Sequence, residues 1–265
     1  MKLELIGIYL SLAAPLAWGS LVAVDNAGNY TSWDNGNNQG SGFGAWQLSP
    51  SPNNGNAGFF LASSANNGGA PQPSGNINTS GQAWGLYANN GNTASAIRPF
   101  TGGSLTAGQD FLIRMDNGNI NNGSSVGFGL QNSSGVNRFE FYFVGGGSSY
   151  TINIGGTTIN TGIGFTDDGL SLVFSQGSAN AWSLAVTPAG GSMSQFSGTL
   201  AASDISQARL FNFNAGGGGA SDAFYNNIQV VPEPTNVALG AFGLLLLAGG
   251  VWRQVRSARS SGARR

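Results

Sequence analysis

The chain has 265 residues and a formal net charge of −1, with 44 glycines, no histidine, no cysteine and 8% charged residues. That composition excludes disulfides, thiol chemistry and imidazole ligation of a metal, and because the only lysine is Lys2 it leaves the body without Schiff-base chemistry. Residues 20–231 carry four arginines against nine acidic groups, a net of about −5, so the basic surface that would neutralise nucleic-acid phosphates is missing.

In chain order, residues 1–19 predict a secretory signal peptide: Lys2, an apolar stretch from Leu5 to Leu16, then Ala17-Trp18-Gly19 as a small-x-small cleavage site. About twelve apolar residues are short for a membrane span. Residues 20–230 then form one domain, long enough for a single sizeable core. Its first part is rich in asparagine and glycine. There, long surface loops are expected around strands at Ala45–Leu48, Gly58–Leu61 and Ala83–Tyr87. Trp33, Trp46 and Trp84 are candidates for stacking on sugar rings, with core packing the alternative for each. Trp33 and Asp34, side by side in a polar loop, are the candidate ligand-binding residues.

From Asp110 onwards, period-two runs recur between Gly/Asn/Ser clusters, the pattern of an all-β sandwich or barrel. The runs are Asp110–Met115, Val126–Gln131, Arg138–Val144, Tyr150–Ile154, Leu170–Ser175, Trp182–Thr187, Ala208–Phe213 and Ala223–Val230. Alternation sends Phe139, Phe141 and Phe143 to the core and Arg138, Glu140 and Tyr142 to the other face. The same logic makes a hairpin that pairs Leu170, Leu172 and Phe174 with Trp182, Leu184 and Val186. Leu210, or else Phe211 and Phe213, adds to that core, as do Phe224, Asn226 and Ile228 from the last strand. Glycine-rich joints at 145–147, 155–156 and 216–219 read as turns.

Little in this body carries chemistry. A glycosidase sets two carboxylates roughly 5 to 9.5 Å apart. Glu140 is the only glutamate in residues 20–231, and its i±2 neighbours are Arg138 and Tyr142, so a solvent-facing, charge-paired carboxylate is expected. Asp167-Asp168-Gly169, Asp34-Asn35-Gly36-Asn37 and Asp116-Asn117-Gly118-Asn119 read as turns. The last two could offer oxygens to calcium but lack a twelve-residue loop ending in Glu. No cofactor is expected, and the domain reads as non-catalytic.

The C-terminus reads as an address. Val231-Pro232-Glu233-Pro234 precedes an apolar run at residues 237–252, which is followed by Arg253, Arg256, Arg259, Arg264 and Arg265. A helix over that run would extend roughly 24 Å, slightly less than the hydrocarbon core, with the arginines on the cytoplasmic side and everything before the run translocated. The two prolines are expected to keep the motif extended and unpaired.

Motif, short span and basic tail, in that order, resemble the PEP-CTERM sorting domain of Gram-negative bacteria that make extracellular polysaccharide. The resemblance implies processing by an exosortase, an integral-membrane cysteine enzyme. It also implies an inner-membrane-anchored precursor with a periplasmic body, later released to the cell surface or beyond. The body's strand pattern, with its F-x-F-x-F run and a last strand at Asp222–Val230, resembles the concanavalin-A-like jelly roll. The expectation is an all-β, jelly-roll-like sandwich ectodomain followed by one C-terminal transmembrane helix. Its expected role is that of an exported surface or matrix protein associated with polysaccharide. A lectin-like module is the alternative, and a glycan hydrolase or lyase is the third reading.

Overall fold

The computed structural model describes residues 23–66 and 77–232. The leader at residues 1–19, Glu233 and Pro234, the apolar run at 237–252 and the basic tail at 253–265 lie outside the described residues. No helix among the described residues is long and apolar enough to cross a membrane.

Fifteen strands are present among the described residues, and every pairing between them is antiparallel. They are β1 (Ala23–Asp25), β2 (Gln47–Ser51), β3 (Ala57–Ala62), β4 (Ala83–Ala88), β5 (Thr93–Pro99), β6 (Gln109–Asn117), β7 (Ser125–Gln131) and β8 (Asn137–Val144). After these come β9 (Thr151–Ile154), β10 (Thr157–Asn160), β11 (Leu170–Gln176), β12 (Ala181–Pro188), β13 (Ser194–Thr199), β14 (Gln207–Phe213) and β15 (Ala223–Pro232). One sheet runs β13-β12-β11-β6-β15-β4-β3, with β1 also paired to β15, and the other runs β10-β9-β8-β7-β14-β5-β2. The molecule is thus a jelly-roll-like sandwich of an eight-stranded and a seven-stranded sheet.

Alternation builds the core as the sequence predicts. Phe139, Phe141 and Phe143 of β8 are buried and face inward, and Phe139 meets Phe174 of β11 across the sandwich with ring centroids 4.9 Å apart. The β11–β12 hairpin forms with Leu172 opposite Val186 and Phe174 opposite Leu184. Burying each such side chain is worth roughly 1.5–3 kcal/mol, and without a disulfide the fold depends on this layer.

Four strands have no counterpart in the sequence reading: β1, β5, β10 and β13. β10 and β13 edge their sheets and are largely exposed, so they lack the apolar alternation that marks a strand. β5 alternates alanines inward, a weak signal.

β15 corrects the expected set of Phe224, Asn226 and Ile228. Tyr225, not Phe224, joins the main core, while Phe224 packs on the opposite face against Ile77, Ala83 and Phe60. The register shifts between Asn226 and Gln229, where Asn227 takes φ 51°. This bulge inserts a residue and reverses the alternation, so Ile228 and Val230 face inward again. Asn226 is buried at the kink. Its side chain accepts from Ala27 N and donates to the carbonyls of Ile77 and Gln82.

The expectation that the sorting motif is unpaired is corrected for its first half. Val231 lies opposite Asp110 and Pro232 opposite Gln109, because the β15–β6 ladder continues to the end of β6. Proline, which has no amide to donate, is tolerated there because the strand is ending.

Candidate functional site

The outer face of the seven-stranded sheet gathers the side chains that alternation turns away from the core. Antiparallel register places Ile97, Arg209, Gly129, Glu140 and Asn153 in one row across β5, β14, β7, β8 and β9. The next row is Ser95, Phe211, Gly127, Tyr142 and Thr151. β7 is bare at the centre of both rows. A Cβ at Gly127 would stand 2.2 Å from the Phe141 carbonyl oxygen and 2.5 Å from the Tyr142 Cβ, so no side chain fits there.

That bare strand decides the geometry. β14 and β8 are two strand spacings apart, roughly 9.6 Å. Arg209 nonetheless reaches across Gly129, and its Nη2 donates to Glu140 Oε1 at 2.8 Å. The same Oε1 accepts from Asn137 Nδ2 at 2.6 Å, and Oε2 accepts from Asn153 Nδ2 at 2.8 Å. Over Gly127, the rings of Tyr142 and Phe211 lean together, with centroids 6.5 Å apart. Phe211 stacks on Phe213 at 4.6 Å, and the Arg209 guanidinium lies 5.0 Å and 5.5 Å from their centroids.

The result is an aromatic shelf of Tyr142, Phe211 and Phe213, bordered by a neutralised ion pair and two amides. Tyr142 and Phe213 are half-buried, while Phe211 is covered by its neighbours. Burial first and Glu140 second hold the Tyr142 hydroxyl above its usual pKa, so it stays a neutral donor. Burial pulls the Arg209 pKa below its usual value, opposed by Glu140. Aromatic faces beside hydroxyl and amide partners can hold a ring that has one apolar face and a polar rim.

The sequence-selected residues fall elsewhere. Trp33, Trp46 and Trp84 are all buried, at 4%, 1% and 0% exposure, so the stacking platform expected of exposed tryptophans is not at the surface. Trp33 is enclosed edge-on by Trp46 and Phe59, at 5.2 and 5.5 Å between centroids. The loop that looked polar is pinned from within. Arg98 and Asp25, both 0% exposed, form an ion pair at 2.7 Å, and Tyr30 donates its hydroxyl proton to Asp25 at 2.5 Å. Arg98 Nη1 also donates to the carbonyls of Asn37 and Gly44, and its guanidinium lies 5.0 Å from the Trp46 ring. Burial raises the Asp25 pKa, with Tyr30 and Arg98 opposing it, and pushes Tyr30 up to about 12.

Asp34 is exposed and does turn work, its Oδ2 accepting from Ser32 Oγ and its amide donating to Asn37 Oδ1. Among the described residues, no group of three or more acidic, cysteine or histidine side chains could hold a metal ion. Arg138 pairs with Asp204 rather than with Glu140.

No protein-family model matches the chain, and no curated protein matches it. Among solved structures, it is similar to a sialidase (10% identity, 82% of this chain and 19% of that one, TM-score 0.49). It is also similar to a protein of unknown function from Shewanella oneidensis MR-1 (8%, 88% and 97%, TM-score 0.49) and to a galectin of Caenorhabditis elegans (12%, 51% and 88%, TM-score 0.37). The chain spans about a fifth of the sialidase's length. At these levels the likeness assigns neither a ligand nor a residue.

Proposed function

We propose that this chain is an exported, non-catalytic surface or matrix protein that holds extracellular polysaccharide on the outer face of its seven-stranded sheet. The observation that carries the reading is the aromatic shelf of Tyr142, Phe211 and Phe213 beside the Arg209–Glu140 pair. A pyranose has an apolar C–H face for the rings and hydroxyls for Glu140, Arg209, Asn137 and Asn153. Because the two charges cancel, the shelf suits a neutral sugar better than an ionic one. The shelf also favours the lectin-like form of this role over a purely architectural one.

Support for a binding role without turnover comes from Glu140 itself. Both of its oxygens accept hydrogen bonds, from three donors in all, which leaves it poorly placed as a free acid or base. The address at the C-terminus supports export: membrane anchoring through residues 237–252, processing by an exosortase-type enzyme near Val231–Pro234, and release toward the cell surface.

The test is co-sedimentation of the protein recovered from cells with insoluble neutral polysaccharides. Wild type is expected to bind at least one of them and Tyr142→Ala about tenfold more weakly. If wild type and Tyr142→Ala are retained equally, the shelf is not the site. If a glycan is cleaved at a rate that Glu140→Gln abolishes, the protein is an enzyme.

A further inference from the structure

The two sheets do not close at the edge formed by β10 and β13. Between the β9–β10 hairpin and the β12–β13 pair lies a cleft lined by Ile154, Thr157, Ile159, Trp182, Gly198 and Thr199. Trp182 is 3% exposed and packs edge-on against Phe139 at 5.3 Å, yet its indole Nε1–H is buried with no acceptor among the described residues. Buried donors in folded proteins nearly always find a partner, so one without an acceptor needs a reason. The reason is local: Trp182 sits opposite Gly198 in the β12–β13 register, and a Cβ at that glycine would lie 3.0 Å from Nε1. Glycine at this position leaves room for the N–H edge of the indole, and Trp182 and Gly198 both line the cleft.

We infer that this cleft is a second sugar subsite, in which one neutral sugar unit of the polysaccharide gives an oxygen to Trp182 Nε1–H. For the class of ligand this rests on the glycan-holding reading above, but it stands on different residues and a different part of the molecule. No charged side chain lines the cleft, so nothing there compensates a carboxylate or an amine. Ile154 and Ile159 offer apolar walls to a C–H face, and Thr157, on the same face of the hairpin, offers a hydroxyl to a polar rim. β9, the inner strand of the hairpin, also pairs with β8 of the shelf, so the seven-stranded sheet carries the shelf on its outer face and forms one wall of the cleft.

The test reads that single N–H. In the full chain labelled with 15N at the indoles, the Trp182 cross-peak is assigned by its loss in Trp182→Phe. It is then followed against cellohexaose, maltoheptaose and laminarihexaose. The subsite predicts a downfield shift of this peak with at least one oligosaccharide, retained in Tyr142→Ala and lost in Gly198→Val. It also predicts binding about five- to tenfold weaker in Trp182→Phe, which removes the N–H donor together with one of the two fused rings. No shift with any of the three overturns the subsite and leaves the shelf untouched. A shift that depends on protein concentration without sugar also overturns it, because the occupant would then be a second copy docking at the free strand edge. Loss of the shift in Tyr142→Ala would show the cleft to be no independent site.

Discussion

At the scale of single residues, a buried ion pair and one half-buried carboxyl set how the molecule answers mutation and pH. Removing one partner of a fully buried pair leaves the other charge without compensation. Arg98→Ala is therefore expected to destabilise the fold by about 3–5 kcal/mol in urea unfolding, and to do so with the shelf residues intact. Asp222 carries the pH dependence. Burial raises its pKa from 3.8 to about 7, so the folded protein holds a proton there that the unfolded chain has lost. The resulting stability is fully present below pH 4 and is lost as the pH rises to about 7. Asp222→Asn should raise the free energy of urea unfolding at pH 8 by about 1 kcal/mol after solvent screening, and change it little at pH 4. Equal effects at both pH values would contradict the assignment.

Secondary elements differ in how openly the sequence declares them. Phe139, Phe141 and Phe143 were legible because hydrophobic alternation is a property of one strand read alone. β10 and β13 were hidden because edge strands bury little on either face. The bulge of β15 was hidden too, since one extra residue reverses the alternation without any composition signal. Its presence makes a sharp prediction: Asn227→Gly keeps the left-handed conformation and folds normally, whereas Asn227→Val, β-branched at a φ of 51°, is expected to lower the melting temperature, as circular dichroism melts can show. The shelf depends on an element in the same way. Gly127→Ala would push a methyl into the Phe141 carbonyl, and is expected to cost about 1–3 kcal/mol and to disturb the Tyr142 ring.

For the whole molecule, what the sequence could not display is proximity between distant strands. Alternation alone turns Glu140 and Tyr142 to the outward face, but their partners Arg209, Phe211 and Phe213 arrive from β14 through the β7–β14 pairing. Trp33 misled because its neighbours in the chain are polar while its neighbours in space are Trp46, Trp84 and Phe59. The first and last strands among the described residues are also coupled, since β1 pairs with β15 and Ala23 lies opposite Val230. On the export proposal, processing is accordingly expected beyond Pro232, which keeps β15 whole. The intact mass of material recovered from the cell surface should then fit a chain without its leader that retains residues through 232. A cytosolic product with Met1 and Arg265 both present would remove the export reading.

The glycan-holding claim itself is tested most directly by mapping backbone amide shifts of the protein during titration with neutral polysaccharide fragments. The account predicts shifts centred on Gly127, Gly129, Glu140, Tyr142, Arg209, Phe211 and Phe213, and weaker binding in Phe213→Ala. If those amides stay unmoved with every fragment while the protein still binds one of them, the outer face of the seven-stranded sheet is not where polysaccharide is held.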